Sequence, residues 1–180
     1  MAQPVLLAID IQERLFQAMP EDDRSSLLKA VPALILLAGH EGWEVWVTEQ
    51  YPKGLGPTIP EIHDTFLPNV LRFEKTEFDA CRNPDFAHKL ENLPLETHFF
   101  VVGIEAHVCV YLTAMSLKAK GFAVTVLADV VASRRALCRS LSLDALATQD
   151  IRILPYETIL FEALRASTHP AFRKISQQIR

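Results

Sequence analysis

Short apolar runs, each too brief for a helix, recur along this chain between longer stretches of helical periodicity. Residues 5–9 read Val-Leu-Leu-Ala-Ile and residues 99–103 read Phe-Phe-Val-Val-Gly. A strand that is apolar at nearly every position must be covered on both faces. Similar but weaker runs fall at 43–48, 70–73, 122–128 and 151–154. Between them, residues 25–40 repeat Leu27, Leu28, Val31, Leu34, Ile35 and Ala38 at helical spacing, with Gly39 and Gly42 at the end. Helices are also expected over 84–93, 106–120, 133–148, 156–164 and 171–179, and the Pro/Gly-rich segment 51–60 is expected to be a loop. This alternation predicts parallel strands joined by right-handed crossovers. The fold class is therefore α/β, a three-layer α/β/α sandwich with a mainly parallel, Rossmann-like sheet of about six strands. No repeat, low-complexity tract or linker divides residues 1–180, so a single domain is expected.

A chain of 180 residues is long enough to bury ~70% of its unfolded surface. Its net charge of -4 leaves no basic footprint for nucleic acid. The apolar runs are far too short to span a bilayer. Met1-Ala2-Gln3-Pro4 has no basic leader character, so no signal peptide is expected. The three cysteines are an odd number without metal-type spacing, which argues against a disulfide framework and for a cytoplasmic location. The expected partner is a small-molecule substrate, with neither nucleic acid nor membrane.

In such folds ligands bind at the carboxyl ends of the strands. Asp10, Lys75 and Cys109 each follow an apolar run, so topology brings them to one edge of the sheet. Cys109 lies just past a strand at an expected helix start, where the helix dipole favours thiolate over thiol. The turn from Gly103 to Cys109 also supplies N–H groups of the kind that form an oxyanion hole. Asp10 ends an apolar strand, a costly place for a carboxylate unless it is paired or used. Its alternative role is to cap the turn Ile11-Gln12-Glu13. Lys75 is flanked by Glu74 and Glu77 and reads either as ordinary surface charge or as a cation that holds Asp10 ionised and lowers the thiol pKa. His107 is two residues from Cys109 and does not share its helix face, so it reads as a pocket-wall residue rather than the base. Cys81 and Cys138 are assigned to structure. The histidines form no cluster with ligand spacing, so no metal is expected. Ala8-Ile9-Asp10-Ile11-Gln12 lacks the glycines of a dinucleotide-binding turn.

Leu6-Leu7-Ala8-Ile9-Asp10-Ile11-Gln12, Lys75, and most specifically Gly103-Ile104-Glu105-Ala106-His107-Val108-Cys109-Val110 resemble the isochorismatase-like superfamily of cysteine hydrolases. Thr113-Ala114 and Gly121-Phe122-Ala123-Val124 extend the similarity over nearly the whole chain, and the segment from Thr48 to Gly56 is similar to the branch whose substrate is unassigned. The resemblance implies a triad of Asp10, Lys75 and Cys109, in which the cysteine attacks, the aspartate shuttles the proton and the lysine stabilises charge. It also implies a non-proline cis peptide at Ile104–Glu105, in a loop whose N–H groups join that of Cys109 in facing the oxyanion. Nicotinamidases carry an aspartate and two histidines after the second strand, whereas Glu49-Gln50-Tyr51-Pro52-Lys53-Gly54 stands here. True isochorismatases of the siderophore and phenazine type lack a nucleophilic cysteine. What remains is a metal-independent, cofactor-free cysteine hydrolase of a small amide- or imide-like substrate. Phe16, Gln50, Tyr51 and His107 are its candidate pocket residues, Phe16 having a second reading as a core staple. Glu105 either reads a donor on the substrate or holds its loop. A homo-oligomer, dimer or higher, is expected. The alternative is a catalytically degenerate member serving as an oligomeric binding or scaffold protein, with residues 159–164 and Phe172 offering an interface.

Overall fold

The apolar runs pair into a single sheet. A computed structural model describes residues 4–179; Met1, Ala2 and Gln3, read above for leader character, lie outside the described residues, as does Arg180. The order of elements is β1 (Val5–Ile9), α1 (Glu13–Gln17), α2 (Glu21–Glu41), β2 (Glu44–Gln50), α3 (Pro52–Leu55), α4 (Pro60–His63) and β3 (Leu71–Lys75). A 3-10 turn (Ala80–Arg82) and α5 (Pro84–Glu91) lead to β4 (His98–Ile104), and a π-helical turn (Ala106–Val110) runs into α6 (Tyr111–Ala119). β5 (Ala123–Ala132), α7 (Ala136–Ala147), β6 (Arg152–Leu154), α8 (Tyr156–Leu164) and α9 (Phe172–Gln178) complete the chain.

The strands stand in the order β3-β2-β1-β4-β5-β6, all parallel. β1 is central, with Val5 through Ile9 in register with Glu44 through Thr48 on one side and Phe99 through Gly103 on the other. The chain reverses its winding between β1 and β4, the switch point at which such sheets open a crevice. Alternate residues of the strands feed two apolar clusters. Leu6, Ala8 and Val102 meet Leu27, Leu34 and Ile35 of α2 with α8 and α9. Leu7, Ile9 and Val101 meet Phe86 of α5 and Leu117 of α6. Trp46, fully buried, anchors the second cluster edge-on to Phe86 at 5.1 Å and Phe99 at 5.7 Å.

Three expectations need correction. β5 runs on to Ala132 rather than ending near 128, so α7 begins at Ala136 and not at 133. The pairing of β4 with β5 shifts register between Val101 and Gly103, and Val131 and Ala132 rejoin the ladder beyond that irregularity. The polar Asp129 interrupts the apolar run because its carboxylate accepts the N–H of Tyr156 at 2.8 Å, at the start of α8. Segment 51–60 contains the short helix α3. Ile159, Leu160 and Leu164 of the expected interface are buried in the α2-side cluster with Phe172 packed on it, so they belong to the core.

Gly103 shows how tightly the centre closes: its φ is 126°, and a β-carbon there would overlap the carbonyl oxygen of Ile9. Gly103→Ala should cost at least about 3 kcal/mol of unfolding free energy, read from the urea midpoint. Gly121→Ala, with φ at 95° but its nearest new neighbour 3.8 Å away, should cost only about 1–2 kcal/mol.

Candidate active site

Immediately after β1, Asp10 adopts φ 51° and turns the chain out of the strand, while its N–H still donates to the Thr48 carbonyl at 3.0 Å. Its carboxylate is fully buried and uses both oxygens. Oδ1 accepts from Thr48 Oγ1 at 2.6 Å, and Oδ2 accepts from Lys75 Nζ at 2.7 Å. Lys75 is the last residue of β3, and its ammonium also donates to Gln50 Oε1 at 2.7 Å. β2 lies between β1 and β3, and Thr48 and Gln50 share one of its faces by the period of two. The strand between the two charges therefore supplies a polar partner to each. Both charged side chains are 0% exposed. Neither alternative reading survives: Lys75 is not surface charge, and α1 is preceded by Gln12, which makes no side-chain cap bond.

Cys109 sits in the π-helical turn beyond β4 and is 5% exposed. Burial first, and then the charge of Asp10, push its thiol up to about 12, with Lys75 pulling the other way. The expectation of a thiolate favoured by the helix start is thus corrected, because loss of hydration and a neighbouring anion outweigh it. The site holds a neutral thiol beside a carboxylate able to take its proton.

The Ile104–Glu105 peptide bond is cis. Ile104 is fully buried at the end of β4. The Glu105 carbonyl accepts from the N–H of Val108 at 3.0 Å and of Val110 at 3.3 Å, organising the turn that carries Cys109. Its carboxylate faces Arg134, with Oε1 accepting the backbone N–H at 3.1 Å and Nε at 2.8 Å, and Oε2 accepting Nη2 at 3.3 Å. Burial opposes the charge on Glu105, but Arg134 overcomes it and holds the carboxyl below its ordinary range. Glu105 thus holds its loop. His107 is half-buried, with Nδ1 2.9 Å from Ser133 Oγ.

Gln50 serves Lys75 and also donates to the Thr76 carbonyl at 2.8 Å. Tyr51, 55% exposed, lines a cavity of about 350 Å³ beside Lys75, together with Lys53, Thr76, Glu77 and Asn83. Phe16 is not brought to the thiol. It packs against the α2-side cluster and lines a separate groove with Gln17, Arg24 and Ile59, whereas Cys109 belongs to the cluster on the opposite face. The core-staple reading is the one its surroundings fit. Sequence reasoning also missed Gln12, which is fully buried and bridges Gln50 to Gly56: Nε2 donates to their carbonyls at 2.9 and 2.6 Å, and Oε1 accepts the Gln50 N–H at 2.7 Å. An amide directly after an apolar strand was the available signal. Thr48 was legible from its two-residue offset from Gln50, whereas Arg134, distant in sequence, gave none. Among the described residues no group of His, Cys, Asp and Glu side chains is arranged to hold a metal.

Two measurements follow from this geometry. Lys75→Met leaves a buried carboxylate unpaired and should lower stability by about 3–5 kcal/mol, with much of the loss recovered when Asp10→Asn is added. Alkylation of Cys109 by iodoacetamide should keep accelerating well above pH 9, because the thiol ionises only towards about 12. Asp10→Asn removes a charge that opposes the thiolate, so it should move that rise to lower pH.

A family model described as "Isochorismatase domain" matches residues 4–154. The chain is 34% identical over 179 residues to isochorismatase domain-containing protein 1 of Salmo salar, covering 99% of this chain and 62% of that protein's length. It is 30% identical to isochorismatase domain-containing protein 2 of Xenopus laevis, covering 97% of this chain and 82% of the relative. Among solved structures, one described as the MAR1 ribonuclease of Caenorhabditis elegans superposes with a TM-score of 0.88 at 29% identity, over 99% of this chain and 90% of that one.

Proposed function

The chain belongs to the isochorismatase domain family, and on that premise we propose that it is a metal-independent cysteine hydrolase of a small amide- or imide-like substrate. The observation that carries this reading is the fully buried Asp10–Lys75 pair acting on the thiol of Cys109. As Sγ bonds to the substrate carbonyl carbon, the thiol proton passes to Asp10 and the carbonyl electrons move onto oxygen. N–H groups of the turn at 104–109 stabilise that oxyanion. Its collapse breaks the C–N bond, and the departing nitrogen takes the proton from Asp10. Water, deprotonated by Asp10, then cleaves the thioester; the carboxylic acid leaves and the proton returns to sulfur. Lys75 balances the charge of Asp10, and Thr48 and Gln50 hold the pair in place. These side chains account for every proton transfer without a cofactor.

A cavity of about 350 Å³ beside Lys75, lined by neither Asp10 nor Cys109, is of a size for a small molecule. The net charge of -4 disfavours a nucleic acid substrate, although the nematode neighbour is described as a ribonuclease. Exposed Phe78, Leu137 and Leu141 support a homo-oligomer, and two apolar clusters sharing one sheet support a single domain. No described helix is long and apolar enough to cross a membrane. Three unbridged cysteines fit a reducing cytoplasm. The scaffold reading draws on the burial of Cys109, which a protein without chemistry would tolerate equally well.

The two readings part on turnover. Wild type should hydrolyse members of a panel of small amides and imides. Cys109→Ala should abolish that hydrolysis with the fold intact by circular dichroism, and Asp10→Asn should reduce it about a hundredfold or more. Undiminished hydrolysis by Cys109→Ala would remove the mechanism.

A further inference from the structure

Two residues that follow β5 reach across to the turn that carries Cys109. Arg134 gives Glu105 its backbone N–H and two guanidinium N–H groups, and Ser133 hydroxyl pairs with the His107 ring at 2.9 Å. Glu105 is used twice. Its carboxylate is held by Arg134 from outside, and its carbonyl accepts Val108 and Val110 N–H groups within the turn. The contacts thus run from Arg134 to Glu105, from Glu105 to the turn, and from the turn to Cys109. The Arg134 side chain is 63% exposed while the Glu105 side chain is 8% exposed, so the ion pair is worth little as a surface salt bridge. Its value lies in direction: a planar fork fixes the carboxylate in one orientation, which a flexible ammonium does not.

We propose that Arg134 is a positioning residue for the hydrolase reaction: by clamping Glu105, with Ser133–His107 as a second tie, it holds the backbone N–H groups around Cys109 where the oxyanion forms. This rests on the hydrolase reading above. The clamp acts on the oxyanion and not on the thiol, so it matters only for reactions that pass through a tetrahedral carbon.

That difference sets the test. p-Nitrophenyl acetate acylates sulfur through an oxyanion: the S–C bond forms, the C–O bond to nitrophenolate breaks, and the thiol proton goes to Asp10. Iodoacetamide alkylates the same sulfur by direct displacement of iodide, with no oxyanion. In Arg134→Ala, Cys109-dependent acylation should fall about tenfold to a hundredfold, while alkylation stays within about twofold. Arg134→Lys should restore only part of the loss. Glu105→Ala should be as slow as Arg134→Ala, and the double variant no slower than either, because one unit is broken once. Acylation unchanged in Arg134→Ala, additive losses in the double variant, or parallel losses of acylation and alkylation would each overturn the proposal. Wild type that shows no acylation above the Cys109→Ala background would instead overturn the hydrolase reading, and the proposal with it.

Discussion

A lysine and an aspartate, neither of them reached by water, lie 2.7 Å apart at the carboxyl edge of the sheet. Burying both charges costs several kcal/mol each unless every lone pair and proton finds a partner. Here topology supplies part of what is needed. Asp10 comes from β1, Lys75 from β3, and the strand between them contributes Thr48 to one charge and Gln50 to the other. Parallel pairing is what puts the ends of the three strands at the same edge, and the register that aligns Ile9 with Thr48 and Gln50 with Lys75 sets the spacing. A slip of one residue in β2 would turn both polar side chains to the other face. The ion pair and the sheet order are thus one constraint.

The pair also acts on the sulfur, after burial. A cation alone would draw the thiol towards thiolate, but this cation is paired with a carboxylate that opposes a second negative charge nearby. Burial is the larger cause, and with the carboxylate it pushes the thiol up to about 12. In the proposed hydrolysis the sulfur would gain its reactivity only as an electrophile draws off its electrons and the proton leaves.

Legibility of the sequence follows the range of the forces involved. β1 reads directly from residues 5–9 because burial on both faces leaves no polar position to confuse it. The three candidate catalytic residues stand out because each follows an apolar run, and the strand order sends them to one edge. β5 is harder, since Asp129 looks like an end until its bond to the Tyr156 N–H is seen. Phe16 misleads because the direction of α1 depends on how the chain packs after Asp10, which no local pattern encodes. The ionisation of Cys109 is misjudged for a different reason. A helix start is visible in sequence, but the depth at which it is buried and the anion it faces are tertiary facts.

The same division applies to the two loops that frame the site. Near the end of β2, Glu49 is buried and its Oε1 accepts both the N–H of Thr58 at 2.7 Å and the hydroxyl of Thr58 at 2.6 Å, while Gln12 ties the Gly56 carbonyl to the strand ends. Beyond β4, Glu105 is held in the same manner, by a backbone N–H and a side chain from a distant loop. In each case a carboxylate near the edge of the sheet fixes a segment that apolar packing alone leaves unspecified. The first clamp shapes the wall that carries Tyr51, and the second shapes the turn that carries Cys109. In the proposed hydrolysis the donors to the oxyanion must stand in position before it forms. Polar ties between loops serve that end better than added apolar surface would, because a hydrogen bond fixes direction where a hydrophobic contact fixes only proximity.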